Sequence, residues 1–163
     1  MSKVYNVLFI CTGNSARSQM AEALLNHTSN TRFKAYSAGS HPGNQVNPLA
    51  IETLEHAGVK TEGLRCKNWD EFATADAPAM DFVFTLCDAA AGEACPVWSG
   101  HPTRAHWGIA SPSENDGKDA QRKAFLDTML ILRRRIDMFT ALPIDKLDNL
   151  ALKLRVDEIG QDN

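Results

Sequence analysis

The sequence predicts a three-layer α/β domain built on a mainly parallel sheet. Short β-branched and aromatic runs alternate with amphipathic helical segments, and no repeat, low-complexity tract or linker interrupts the alternation. A length of 163 residues with 44% hydrophobic and 23% charged content suffices for one buried core, so a single domain is expected over 1–163.

The first strand is predicted from Val4-Tyr5-Asn6-Val7-Leu8-Phe9-Ile10. It stops at Cys11-Thr12-Gly13-Asn14-Ser15-Ala16-Arg17-Ser18, small and polar residues that suit a loop. Gln19 to Leu25 then reads as a helix with Met20, Ala23 and Leu24 on one face. Arg32 to Ala38 is a second strand ending at Gly39, and Leu49 to Ala57 a second helix, with Asn47 at its cap, Pro48 at the first helical position and Gly58 beyond its end. Asp81 to Leu86 is a third buried strand running into Cys87, and Arg104 to Gly108 a shorter fourth. Phe125, Met129, Leu132, Ile136 and Phe139 recur at spacings of three and four within Asp119 to Leu142, a long amphipathic helix closed by Pro143. Asp145 to Glu158 forms a last helix. Arg133, Arg134 and Arg135 read as a solvated face of the long helix, Trp69, Trp98 and Trp107 as packing anchors, and His106 as a hydrogen-bonded strand residue.

A formal net charge of −3 argues against a nucleic-acid clamp, which needs a net basic face. The apolar runs are far shorter than the roughly 20 residues that span a bilayer, and nothing marks the N-terminus for secretion, so the expected compartment is the cytoplasm. Cys11, Cys66, Cys87 and Cys95 are too few for a disulfide-stapled scaffold, which leaves their use chemical or incidental, with Cys66 read as incidental. No CxxC, HExxH or zinc-finger spacing is present, and no structural metal is expected.

Ligands of parallel sheets sit beyond the carboxyl ends of the strands, where Cys11 and Cys87 both fall. From Cys11 to Ser18 the chain carries a thiol, five residues, an arginine and a serine, between a strand and a helix. Such a loop, formed by Thr12, Gly13, Asn14, Ser15 and Ala16, aims backbone N–H groups inward at the positive end of the helix dipole and cradles a tetrahedral oxyanion. Arg17 closes the cradle with a bidentate contact that a lysine could not reproduce. The same field favours the thiolate of Cys11, an attacking nucleophile, with Ser18 donating to the sulfur and Asn14 bracing the loop by bonding its backbone.

Cys11 to Ser18, then Ser37-Ala38-Gly39, Phe84-Thr85-Leu86-Cys87-Asp88, Cys95-Pro96 and His106-Trp107-Gly108, in that order, resemble the arsenate reductases built on the low-molecular-weight tyrosine phosphatase fold. The resemblance covers essentially the whole chain. It implies a flavodoxin-like four-stranded parallel sheet flanked by helices, and a cytoplasmic enzyme that reduces arsenate to arsenite for detoxification. Phosphate or sulfate would mimic the substrate. Thr12, Ser15 and Gln19, and Ser113-Glu114-Asn115 after Pro112, replace the apolar loop residues, proline and aromatic wall of the phosphatase branch, which favours a small inorganic oxyanion.

Reduction needs two electrons, so further thiols are required after Cys11 has attacked arsenic. Cys87 is the best second thiol. In the resembling thioredoxin-linked enzymes two cysteines end in a disulfide on a segment that unwinds, which assigns Cys87 and Cys95 that part across Ala89 to Ala94. The resemblance leaves open whether thioredoxin, or glutaredoxin with a small thiol, is the external reductant. Some relatives bind a potassium ion near the loop, and Asn14, Glu22 and Ser37 occupy comparable places, so the resemblance allows one there beside the metal-free expectation. The family usually carries a general-acid Asp before a proline. Here Ser111 precedes Pro112, with Glu114 and Asp116 nearby as substitutes. The competing functions are a phosphomonoesterase on the same fold, which has no use for Cys87 and Cys95, and a non-catalytic oxyanion binder. Oligomeric state is left open.

Overall fold

The computed structural model describes residues 3–87, 101–112 and 117–161. Cys95, Trp98, Glu114, Asp116 and the stretch Ala89 to Ala94 lie outside the described residues.

The chain runs β1 (Tyr5–Cys11), α1 (Arg17–Thr28), β2 (Phe33–Gly39), α2 (Pro48–His56), β3 (Phe82–Thr85), β4 (Thr103–His106), α3 (Lys118–Thr140) and α4 (Asn149–Gly160). The strands form one parallel sheet in the order β2-β1-β3-β4, an α/β fold as expected. Val7, Leu8, Phe9 and Ile10 are all fully buried. Successive side chains of a strand point to opposite faces, so β1 is covered on both, which explains its unbroken apolar sequence. After β2 the chain crosses to the other side of β1 to lay down β3. That reversal opens a crevice at the carboxyl ends of β1 and β3.

Asn47 caps α2 by accepting from Leu49 N–H at 2.8 Å, with Pro48 at the first helical position. The predicted last helix is divided. A 3-10 turn covers Ile144–Lys146, and α4 restarts at Asn149 because the Asp148 carboxylate accepts from Ala151 N–H at 2.8 Å. A 3-10 turn at Trp69–Phe72, capped by Asn68, was not foreseen.

Trp107 is a packing anchor. It stacks on Phe84 with ring centroids 4.0 Å apart and donates its indole N–H to Val156 O at 2.9 Å. Trp69 is buried, and His106 Nδ1 pairs with Thr85 Oγ1 at 2.8 Å. The reading of Arg133, Arg134 and Arg135 as one solvated face holds for the first two only, because Arg135 is 1% exposed. It lies three residues past Leu132 and four before Phe139, within the apolar stripe of α3, and its guanidinium serves the carbonyls of Trp107 and Gly108.

Candidate active site

β1 carries Cys11 to the edge of the crevice, and Thr12 to Ala16 turn the chain into α1. Four consecutive carbonyls of this loop are held from outside. Thr12 O accepts from His41 N–H at 2.9 Å, Gly13 O from Gly43 N–H at 2.9 Å and Ser15 O from Asn47 N–H at 2.7 Å. Asn14 O accepts from the Gln19 side-chain amide at 2.9 Å. The peptides are trans, so each N–H points away from the carbonyl of its own peptide unit. The amides of Gly13, Asn14, Ser15 and Ala16 therefore face the inside of the loop. α1 begins there with no acidic residue in its first turn and no side-chain cap, leaving its positive end to the same space. A tetrahedral oxyanion fits this chemistry.

Cys11 Sγ is buried, 3.0 Å from Ser18 Oγ. Asn14 Nδ2 donates to that same oxygen at 2.8 Å. An amide nitrogen can only donate, so Ser18 accepts from Asn14 and turns its own proton toward the sulfur. Arg17 opens α1, and its Nη1 donates to Ile109 O at 2.8 Å. Arg135 holds the two carbonyls just before Ile109, at 2.8 and 3.2 Å, and so fixes the segment that aims Arg17.

Asn14 has φ +49°, a left-handed conformation that asparagine tolerates better than most residues. It braces the loop, but not through the loop's own backbone as expected. Its Oδ1 accepts from Lys67 N–H at 2.8 Å and from Gln19 Nε2 at 3.1 Å, tying the loop to a segment far along the chain. That segment lies alongside because Gly39 N–H donates to Lys67 O at 2.9 Å and Gly39 bridges to Asn68. Gly39 itself is obligatory for contact reasons: a Cβ there would stand 2.4 Å from Thr12 O and 2.8 Å from Cys11 O.

Cys87 lies two residues past β3, buried, with Sγ 3.4 Å from Thr12 Oγ1 at the rim of the loop. Cys66 is partly buried, and burial pushes its thiol up against the opposing pull of Lys67. Ser111 is exposed and lines, with Arg17, His106, Ile109 and Asp157, a cavity of about 780 Å³.

Ser37 Oγ donates to Glu22 Oε1 at 2.9 Å, so two of the three residues compared with a potassium site do meet. The cation beside them is the chain's own: Lys67 Nζ stands 3.6 Å from Glu22 Oε1. Burial raises the Glu22 carboxyl above its ordinary range, opposed by Lys67 and the Ser37 hydroxyl. Burial also lowers the Lys67 ammonium, opposed chiefly by Glu22. Lys67, Gln19 as a brace and Arg135 were missed from sequence. Only Arg135 had a local signal, its place on the apolar stripe of α3.

Residues 6–146 match the family described as Low molecular weight phosphotyrosine protein phosphatase. The arsenate reductase of Shouchella clausii is 34% identical over 116 residues, 71% of this chain and 80% of that protein. The thioredoxin-dependent arsenate reductase of Corynebacterium glutamicum superposes with a TM-score of 0.58 at 31% identity, covering 82% of this chain. This chain spans 60% of that longer structure's length. An arsenate reductase in a phosphate-binding state superposes with a TM-score of 0.59 at 25% identity, over 82% of this chain and 95% of that one.

Proposed function

The chain belongs to the low molecular weight phosphotyrosine protein phosphatase family, and within it we propose that this member reduces arsenate to arsenite. One observation carries the reading: a second buried thiol, Cys87, sits at the rim of the loop that holds Cys11. Phosphoester hydrolysis needs one sulfur, whereas a two-electron reduction needs two.

Arsenate binds in the loop against the inward amides and Arg17. The Cys11 sulfur attacks arsenic, a sulfur–arsenic bond forms, and one arsenate oxygen leaves as water after protonation. The Cys87 thiolate then attacks the Cys11 sulfur. The sulfur–arsenic bond breaks, its electron pair passes to arsenic, and arsenite departs as a Cys11–Cys87 disulfide forms. Two thiols have supplied two electrons. Cys95 attacks Cys87 to free Cys11, and an external thiol reductant, thioredoxin or glutaredoxin with a small thiol, reduces the resulting Cys87–Cys95 bridge. We assign the reaction to the cytoplasm, where such reductants are maintained. No described helix is long and apolar enough to cross a membrane.

Ser111 supports the preference for reduction over phosphoester cleavage. Its hydroxyl does not release a proton at neutral pH as a carboxylic acid does, and a poor alkoxide leaving group needs that proton more than a hydroxyl already on arsenic does. The deciding experiment is arsenate-dependent reductant consumption with the thioredoxin and glutaredoxin systems supplied separately. Consumption with either one establishes the activity and identifies the partner. Tight arsenate binding without consumption in both overturns it in favour of a non-catalytic binder.

A further inference from the structure

Lys67 takes no part in the thiol chemistry, yet its side chain is only 6% exposed. Its ammonium faces Glu22 Oε1 at 3.6 Å and donates to Arg65 O at 2.7 Å. Two of the oxygens that could ligate a separate alkali ion there already accept hydrogen bonds. Glu22 Oε1 takes the Ser37 hydroxyl beside the ammonium, and Asn14 Oδ1 takes the N–H groups of Lys67 and Gln19. Gln19 Oε1 is the buried side-chain oxygen left without a partner among the described residues. A second cation would have to share the Glu22 carboxylate with the Lys67 ammonium, 3.6 Å from Oε1. These residues do not fit a potassium ion.

Two routes run from Lys67 to the nucleophile. Its backbone N–H holds Asn14 Oδ1, Asn14 Nδ2 holds Ser18 Oγ, and Ser18 faces Cys11 Sγ. Its ammonium holds Arg65 O, which also accepts from Gln19 Nε2 at 2.6 Å, and Gln19 in turn holds Asn14 O. We propose that Lys67 is a tethered monovalent cation and a positioning residue: paired with Glu22, it clamps the 65–67 segment against the Cys11–Ser18 loop and makes oxyanion binding independent of alkali ions. The turnover arm of the test rests on the arsenate reductase reading; the binding arm does not.

The test compares phosphate-induced thermal stabilisation and arsenate turnover in potassium chloride and in tetramethylammonium chloride at matched ionic strength. The wild-type chain should respond identically in both salts. Lys67→Ala opens a cation-sized space beside Glu22. In tetramethylammonium chloride it should lose most of the phosphate-induced shift and about 10- to 100-fold in turnover, the range typical of lost outer-shell partners. Potassium or ammonium ions, close in size to the missing head group, should restore both, which a merely structural lysine would not allow.

The proposal fails if wild-type phosphate binding strengthens in potassium. It also fails if folded Lys67→Ala binds phosphate as wild type does, or cannot be rescued by either ion. Should Lys67→Ala fail to fold in both salts, the doubly neutral Glu22→Gln/Lys67→Met variant decides. Phosphate binding of wild-type strength there overturns the clamp, while weakened binding indifferent to potassium sustains it. A wild-type chain that binds phosphate equally in both salts but never reduces arsenate overturns the proposed function and leaves this inference standing.

Discussion

Gly39→Ala tests whether the Cys11–Ser18 loop depends on its close approach to β2. The added methyl would stand 2.4 Å from Thr12 O, 2.8 Å from Cys11 O and 3.1 Å from Asn14 Cβ. Carbon–oxygen contacts are comfortable at roughly 3.3 to 3.6 Å, so the Thr12 carbonyl must retreat by about 1 Å. Both sides resist. Thr12 O is held by His41 N–H, and Gly39 N–H is held by Lys67 O, each at 2.9 Å. Overpacking of this kind costs about 1–3 kcal/mol, and at about 2–4 °C per kcal/mol for a chain of this size the melting temperature should fall by about 2–12 °C. A 1 Å misplacement near a reacting centre costs about 10²-fold, so arsenate turnover should fall about a hundredfold. The control is Gly58→Ala, at φ +77° with nothing within 4 Å. It bears only the left-handed backbone penalty of about 1–2 kcal/mol and should keep wild-type turnover. Phosphate-dependent stabilisation by scanning fluorimetry and steady-state arsenate reduction, measured on both variants, separate the two effects. Wild-type turnover and phosphate response in Gly39→Ala, or equal activity losses in both variants, would refute the argument.

Ser18→Ala removes the hydroxyl facing Cys11 and the acceptor for Asn14. Hydrogen bonds to charged groups contribute about 1.5–3 kcal/mol, so alkylation of Cys11 by iodoacetamide at neutral pH should slow by about 10- to 150-fold; an unchanged rate places the hydroxyl proton elsewhere. Cys11→Ser should abolish arsenate reduction and any phosphoester cleavage together. Cys87→Ser should leave phosphate binding and phosphoester cleavage nearly intact while halting multiple-turnover reduction, and equal loss of all three would make Cys87 a structural residue. Ser111→Asp should raise hydrolysis of an alkyl phosphate, whose alkoxide leaving group needs the proton, within the ~10²- to 10⁴-fold that general acids supply, and change arsenate turnover far less. If neither rate moves, position 111 is not where the acid belongs.

The strand run before Cys11, the small residues after it and the caps of α2 each lie within a few neighbouring positions, so their local structure was legible without any fold. Even Ser18 opposite the sulfur could be read, because one loop and the first turn of a helix set that distance. The limits of that reading appear where polar groups are buried. Asn14 was expected to bond the backbone of its own loop, but its side chain holds Ser18 Oγ and Gln19 nearby and, 53 positions away, the backbone N–H of Lys67. Gln19 reaches Arg65 O across 46 positions, Arg17 reaches Ile109 O across 92, and Arg135 looked like the end of a solvated run. Hydrophobic periodicity encodes which side chains leave water, but it carries no information about which distant carbonyl or amide will meet a buried donor. That choice is made when the sheet order brings β1, β2 and β3 together and burial forces each polar group to find a partner. The Cys11–Ser18 loop follows from local sequence, whereas the contacts that hold it exist only once residues 14, 39 and 67 are packed against one another.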